Sequence, residues 1–474
     1  LLRKRWVDDE KLVFPLIQLP IQLARYEQPA DVVPALLRDR TMWLFFVVPF
    51  SIHALNGLHF YFPAIPSVNV HRIPLDAYIR ERPWNALSPL WLRFLFSIIG
   101  LAYLLPSELS FSLWFFYFFF LTQQVIGNMA GYPMPSVQAY GTRRFVAHQM
   151  IGGIIQFFVL GMMAARPRLQ EIWASAWGRS RPEDDRQEAL PDGQAFWGFW
   201  VGMGLIALWG STAGAGFGPT LLLFALYFVV HVVAVRLVCE GGMLYVQHPF
   251  RPLNIFLAAV GTRPIGPKRL AILSLFDHLW MVDNRSPLMP GIMQSLRLAD
   301  DAGVSRRSLV GALVGSVLLS MVVSYVTYLS IMYVNGGTKL NTWFTTYYTK
   351  NLYCTWTHYL IATGEPATPV AFVTMGVGAA TMWALTFLHR TYLWWPLHPI
   401  GYLMGASWPM INFWFPVFLG WLIKTSVLRF GGHKAYQKLR PGFLGLLFGE
   451  FSAAGLWVLI DLLAGARGHE IFSF

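Results

Sequence analysis

Pro441-Gly-Phe-Leu-Gly-Leu-Leu-Phe-Gly-Glu450-Phe-Ser-Ala-Ala-Gly-Leu-Trp-Val-Leu-Ile-Asp461-Leu-Leu-Ala-Gly465 is one apolar run that carries two carboxylates. It is long enough to cross a bilayer, for which about 20 mostly apolar residues suffice. Glu450 and Asp461 stand eleven residues apart, about three helical turns, so they share a helix face. Gly445, Gly449 and Ala453 make a four-spaced seam of small side chains beside Glu450, a pattern that lets membrane helices approach closely. A charge at bilayer depth costs roughly 2.5–3.5 kcal/mol on the mildest scale. Glu450 is therefore expected to point into a helix bundle, with Asp461 on the same face nearer the external boundary.

Working outward, the whole chain has this character. Of its 474 residues, 55% are hydrophobic and 13% charged, against about 25% charged in soluble domains. The expected fold is all-α, a polytopic transmembrane helical bundle of about ten spans. The apolar runs lie near 42–59, 91–105, 109–126, 146–164, 193–212, 220–239, 308–334, 367–388, 400–424 and 441–464. The lipid bilayer is thus the first partner. The net charge of +12 comes from bases in the loops, as cytoplasmic anchoring predicts, and implies no nucleic acid.

The domain reading follows from these runs. Residues 1–40 form a cytoplasmic lead-in, and their basic start, Leu1-Leu-Arg-Lys-Arg-Trp6, reads as a loop leaving an earlier helix. Residues 41–164 form a first helix group, and 165–192 a charged, mobile linker. Residues 193–390 form a second group with a cytoplasmic loop at 240–307, facing away from the polar segment 335–366. Residues 391–474 form a C-terminal transmembrane domain. Strict alternation then places the basic segment 425–440 on the wrong side. The conflict is removed if 394–424, interrupted by Pro396, Pro399, Pro409 and Pro416, is a broken or re-entrant segment that counts twice. Such backbone survives at membrane depth only when protein or a watery cavity surrounds it.

The chemistry-bearing residues are few. Arg236 and Glu240 are four apart at the end of the sixth run and can pair on one helix face. Asp283 and Arg285 lie in the polar motif Phe276-Asp-His-Leu-Trp-Met-Val-Asp-Asn-Arg-Ser-Pro-Leu-Met-Pro290, where an acid–arginine contact would lock a loop. His398 sits among the prolines of the broken segment. With Glu450 and Asp461, these are the candidates for substrate binding or ion coupling. Cys239 and Cys354 are the two cysteines, and neither CxxC, CxxCH nor HExxH occurs, so no metal or other cofactor is expected. Walker, Rossmann and nucleophile-elbow motifs are also missing from the chain, which argues against an enzyme or an ATP-driven pump.

Several motifs resemble an uncharacterised family of large prokaryotic polytopic membrane proteins built from two adjoining domains of unknown function. They are Arg5-Trp-Val7 through Phe14-Pro15, Gln18-Leu-Pro20, Asp283-x-Arg285 with Leu288-Met-Pro290, Trp395-Pro-Leu-His-Pro399 with Gly401-Tyr402, and Arg440-Pro441 with Gly449-Glu450. More distantly, the Phe-Pro segment and the closing Gly-x-x-x-Gly-Glu helix are similar to the oligopeptide-transporter superfamily. That resemblance implies a cation-coupled secondary carrier in a prokaryotic cytoplasmic (inner) membrane. The rival expectation is a non-transporting subunit that packs against other membrane subunits, in keeping with an aromatic content of 16%.

Overall fold

The computed structural model describes residues 2–24, 33–131, 143–179, 188, 190–282, 288–340, 343–466 and 468–472. Asp39 opens α1 (Arg40–Tyr61) by accepting the amide protons of Thr41 and Met42 at 2.7 and 3.3 Å, the usual work of an acidic N-cap. Next come α2 (Phe96–Leu104), α3 (Ser107–Met129), α4 (Arg144–Ala164), α5 (Arg166–Ala176), α6 (Asp192–Ala213) and α7 (Phe217–Gly241). They are followed by α8 (Pro252–Val260), α9 (Pro267–Trp280), α10 (Leu288–Asp301) and α11 (Arg306–Asn335). The chain closes with α12 (Trp356–Thr363), α13 (Pro369–Thr391), α14 (Pro399–Gly405) and α15 (Trp408–Ala464). Among the described residues, eight helices are long and apolar enough to cross a membrane, so the chain is an all-α membrane protein.

The difference between about ten expected spans and eight has physical causes. Residues 91–105 yield only a nine-residue half-helix, α2, about 13 Å long. Most of the run at 400–424 and all of that at 441–464 belong to one 57-residue helix, α15, which bends at Gly432 where the backbone takes φ 66° and ψ −172°. A φ in that range is one that glycine adopts without steric cost. Its two arms pack on α2 from either side.

Helix contacts set the common frame. α15 runs beside α1 so closely that a Cβ on Gly445 or Gly449 would overlap the Met42 or Phe46 carbonyl. The seam expected beside Glu450 is therefore present. α4 and α13 meet in the same way, with Gly152 against the Met375 carbonyl and Gly378 against that of Gln149. Arg440 donates to Gln18 at 2.9 Å, and Trp6, Val7 and Phe14 pack with Val235 and Cys239. One end of the bundle therefore gathers the N-terminal segment, the end of α7 and the bases of the α15 bend.

The segment 394–424 is a re-entrant hairpin. α14 enters alongside α3, Gly401 lying against Ser112 and Gly405 against Phe116. After a break at Ala406–Ser407, α15 returns, stacking Trp414 on Tyr117, then Gly420 on Ala102, until Lys424 meets the Leu105 carbonyl. Both feet stand at the basic end, which resolves the charge conflict as expected. The tip is buried, Ser407 having no exposed surface.

Residues 242–282 do not all lie at one end of the bundle. Arg236 lies over Phe157, near the end of α4, whereas Phe250 and Arg251 line a cleft with Arg144 and Ala147 at its start. Between them, residues 242–251 run without helix through the bundle, nearly all buried. At the far end the Thr262 amide donates to the Glu365 carbonyl at 2.9 Å. α9 then returns along α7, Trp280 packing on Phe224, and Met293 of α10 reaches the Trp6 cluster. The apolar Gly-Met-Leu-Tyr-Val-Gln-His-Pro-Phe is too short for a helical span, so it was legible only as loop.

The linker 165–192 is also more ordered at its margins than expected. Arg166–Ala176 is helical, and buried Arg168 donates to Asp192 at 2.7 Å. Glu188 joins Arg3, Arg306 and, through them, Asp300. Residues 180–187 lie outside the described residues.

This arrangement predicts side-specific labelling. In a Cys354→Ser background, cysteines at exposed Lys268 and Lys350 should react from the same side of sealed vesicles, and one at Lys438 from the other. Labelling of positions 268 and 438 from one side would contradict the path of 242–280.

Candidate functional site

Glu450 has no exposed surface and sits at the N-terminus of α2. The Phe96 amide donates to its Oε1 at 3.2 Å and the Ser97 amide to its Oε2 at 2.6 Å. His53 of α1 places Nε2 3.2 Å from Oε1. Leu95, the residue at the N-cap position, supplies no side-chain bond, so a carboxylate 354 positions away in the sequence does the capping. A helix start exposes unsatisfied N–H groups and partial positive charge. Three donors thus supply what a buried carboxylate needs.

The other end of α2 is held by a charge of opposite sign. Lys424, buried, donates its Nζ to the Leu105 carbonyl and lies 5.0 Å from the Tyr436 ring centroid. Tyr103 of α2 stacks on Phe443 at 3.6 Å. A carboxylate at the N-terminus and an ammonium at the C-terminus both complement the helix dipole. Each comes from a different arm of α15, so bending at Gly432 would move the two clamps relative to each other.

Three interrupted elements converge near mid-bundle. The Trp408 amide at the hairpin tip donates to the Gln247 carbonyl of the non-helical segment 242–251 at 3.1 Å. Trp414 donates to the Trp91 carbonyl at 3.0 Å, just before α2. Buried polar groups gather here: Ser407 Oγ and Asn412 Oδ1 have no hydrogen-bond partner among the described residues.

The remaining candidates separate. Asp461 shares the α1-facing side of α15 but lies further out, accepting from Tyr61 at 2.7 Å and pairing with His469 at 2.8 Å. Arg236 and Glu240 pair at 3.1 Å, and Glu10 adds a second carboxylate at 2.8 Å. His398 lies 3.9 Å from Glu240 and stacks edgewise on His389. Arg236, Glu240 and His398 therefore form one cluster at the basic end, apart from Glu450. Asp283 and Arg285 lie outside the described residues. Their neighbour Asp277 is buried against Arg251 at 3.0 Å and accepts the Leu253 amide at 3.2 Å. Sequence reasoning missed Lys424 and His53 as members of the α2 clamp. The only available signals were a lysine inside an apolar run and a histidine in α1.

His398 caps α14, its Nδ1 accepting the Ile400 amide at 3.2 Å. Burial pushes its pKa down to about 3, with His389 and Arg236 acting in the same direction. A histidine kept neutral in the fold binds a proton more readily when unfolded, so its contribution is full above about pH 6.5 and falls as pH drops toward 3. His398→Asn keeps a capping oxygen without the titration. Its melting temperature should fall less steeply than wild type between pH 6.5 and 4.5; parallel curves would contradict the assignment.

The chain belongs to DUF6785, a family of unknown function whose model matches residues 1–473. No curated protein matches it.

Proposed function

We propose that this chain is a secondary-transporter-like protein of a prokaryotic cytoplasmic membrane, in which Glu450 couples an ion or proton to movement of α2. The observation that carries the reading is the half-helix whose buried N-terminus ends on a carboxylate at mid-bundle, next to a re-entrant hairpin and a buried non-helical segment. Discontinuous helices of this kind form the substrate and ion sites of secondary carriers. The distant likeness of the Gly-x-x-x-Gly-Glu helix to the oligopeptide-transporter superfamily supports it. In mechanism, a proton or cation taken up by Glu450 weakens its hold on the Phe96 and Ser97 amides, and α2 is freed to shift between the arms of α15. With Glu450 fully enclosed, the described arrangement corresponds to an occluded state.

The test is electrical. Protein reconstituted on solid-supported membranes is challenged with pools of small charged solutes under a pH or sodium gradient. At least one pool should give a saturable current that Glu450→Gln abolishes while the variant stays folded. Currents absent from all pools, or unchanged in the variant, would refute the coupling role.

A second reading has its own observation. α11 is 30 residues long and none of them is buried, which suits a non-transporting subunit whose α11 packs on another membrane protein. Native mass spectrometry from lipid discs discriminates: a fixed stoichiometric complex favours the subunit, a lone chain the carrier.

A further inference from the structure

A cleft of about 90 Å³ opens at the end of the bundle away from the basic one, between the start of α4, α8, α12 and the 364–368 loop. It is far from Glu450, and none of the sequence candidates lines it. The polar groups around it are mainly donors: Arg144, His148, Arg251 and Asn254. Asn254 spends its Oδ1 on the Arg251 amide at 2.8 Å, which leaves its NH₂ to present. Arg251 is nearly enclosed, and its Nη1, though 3.0 Å from Asp277, is not aligned for a hydrogen bond. Arg144 reaches Glu365 only at 3.5 Å, at the limit of a hydrogen bond, and both side chains are about one-third exposed.

Leu257, Trp356 and Pro366 form an apolar wall beside these donors. The pairing of two guanidinium groups with hydrocarbon restricts what fits. Guanidinium groups match a planar carboxylate with paired hydrogen bonds. Arg144 and Arg251 face Asp277 and Glu365, so once Glu365 turns out to solvent one net positive charge remains at the cleft, enough for a monoanion and too little for a dianion such as phosphate. A water needs about 10–15 Å³ on this measure, so the cleft has room for about six to nine, space for a carboxylate with a short alkyl tail. We infer that this cleft binds a short-chain monocarboxylate of about four to six carbons. The carboxylate displaces Glu365 from Arg144 and bonds to Arg144 and Arg251, and the tail lies on Leu257 and Trp356.

The inference is independent of the transport reading, and its test involves no flux. Saturation-transfer NMR and calorimetry on the full chain in lipid discs would use butyrate, with butyramide as the uncharged isostere. Wild type should bind butyrate saturably and butyramide at least tenfold more weakly. Arg144→Gln should weaken butyrate binding tenfold or more. Glu365→Gln, which removes the competing carboxylate, should tighten binding several-fold, a gain that misfolding cannot imitate. Arg297→Gln, at the basic end, should change nothing. A carboxylate on a longer chain, such as a fatty acid, would be favoured instead if affinity rose steadily from butyrate to dodecanoate, and that result would overturn the size assignment. Absence of butyrate binding, equal binding of butyramide, or no tightening in Glu365→Gln would overturn the site.

Discussion

Glu450→Ala is expected to cost about 3–5 kcal/mol of stability, the range found when one partner of a buried charged contact is removed. The Phe96 and Ser97 amides and the His53 ring would be left without their acceptor in a site that has no exposed surface. Each buried donor left unpaired costs about 1–3 kcal/mol, so two amides alone account for much of the loss. Glu450→Gln keeps the volume but offers one oxygen where two are used, and its NH₂ would confront an amide N–H. An intermediate loss follows. Asp461→Asn should cost under about 1 kcal/mol, since that carboxylate is partly exposed and water can replace its partners. Unfolding midpoints in detergent would rank the three variants. Equal midpoints for Glu450→Ala and Asp461→Asn would contradict the enclosed clamp.

Gly152→Val or Gly378→Val should be the next most damaging. Each added side chain would overlap a backbone carbonyl of the facing helix, not a side chain that can turn away. Relief requires α4 and α13 to separate along their length. Overpacking a tight contact costs about 1–3 kcal/mol where neighbours can move, and here they cannot, so a loss above about 3 kcal/mol is expected. Gly198→Val and Gly311→Val meet nothing within 4 Å and should be neutral. Folded yield and melting temperature would check all four, and tolerated valines at 152 and 378 would show that the helices are not in backbone contact.

That contrast marks how far the sequence could be read. The Gly198-x-x-x-Gly202 and Gly311-x-x-x-Gly315 patterns suggest close packing, yet both helices present those glycines to open space. Close approach depends on which helix lies opposite, and no local pattern records that. Glu450 and its small-residue seam were legible because a carboxylate in an apolar run is costly wherever it is placed. The hairpin at 394–424 was legible from four prolines and a conflict between charge and alternation. The half-helix was not, because 91–105 has the composition of a full span and its capping residue lies 354 positions away. Arg236–Glu240 could be paired from spacing alone, whereas Glu10, more than 200 residues earlier in the chain, could not.

The central claim is that Glu450 holds α2 in place at mid-bundle. Amide hydrogen exchange over residues 94–105, followed by mass spectrometry in lipid discs, tests it most directly. Wild-type Phe96–Leu104 should be among the slowest-exchanging segments, and Glu450→Gln should speed its exchange at least tenfold while α4 and α13 keep their protection. Fast exchange of α2 in the wild type, or unchanged protection in Glu450→Gln, would contradict the account.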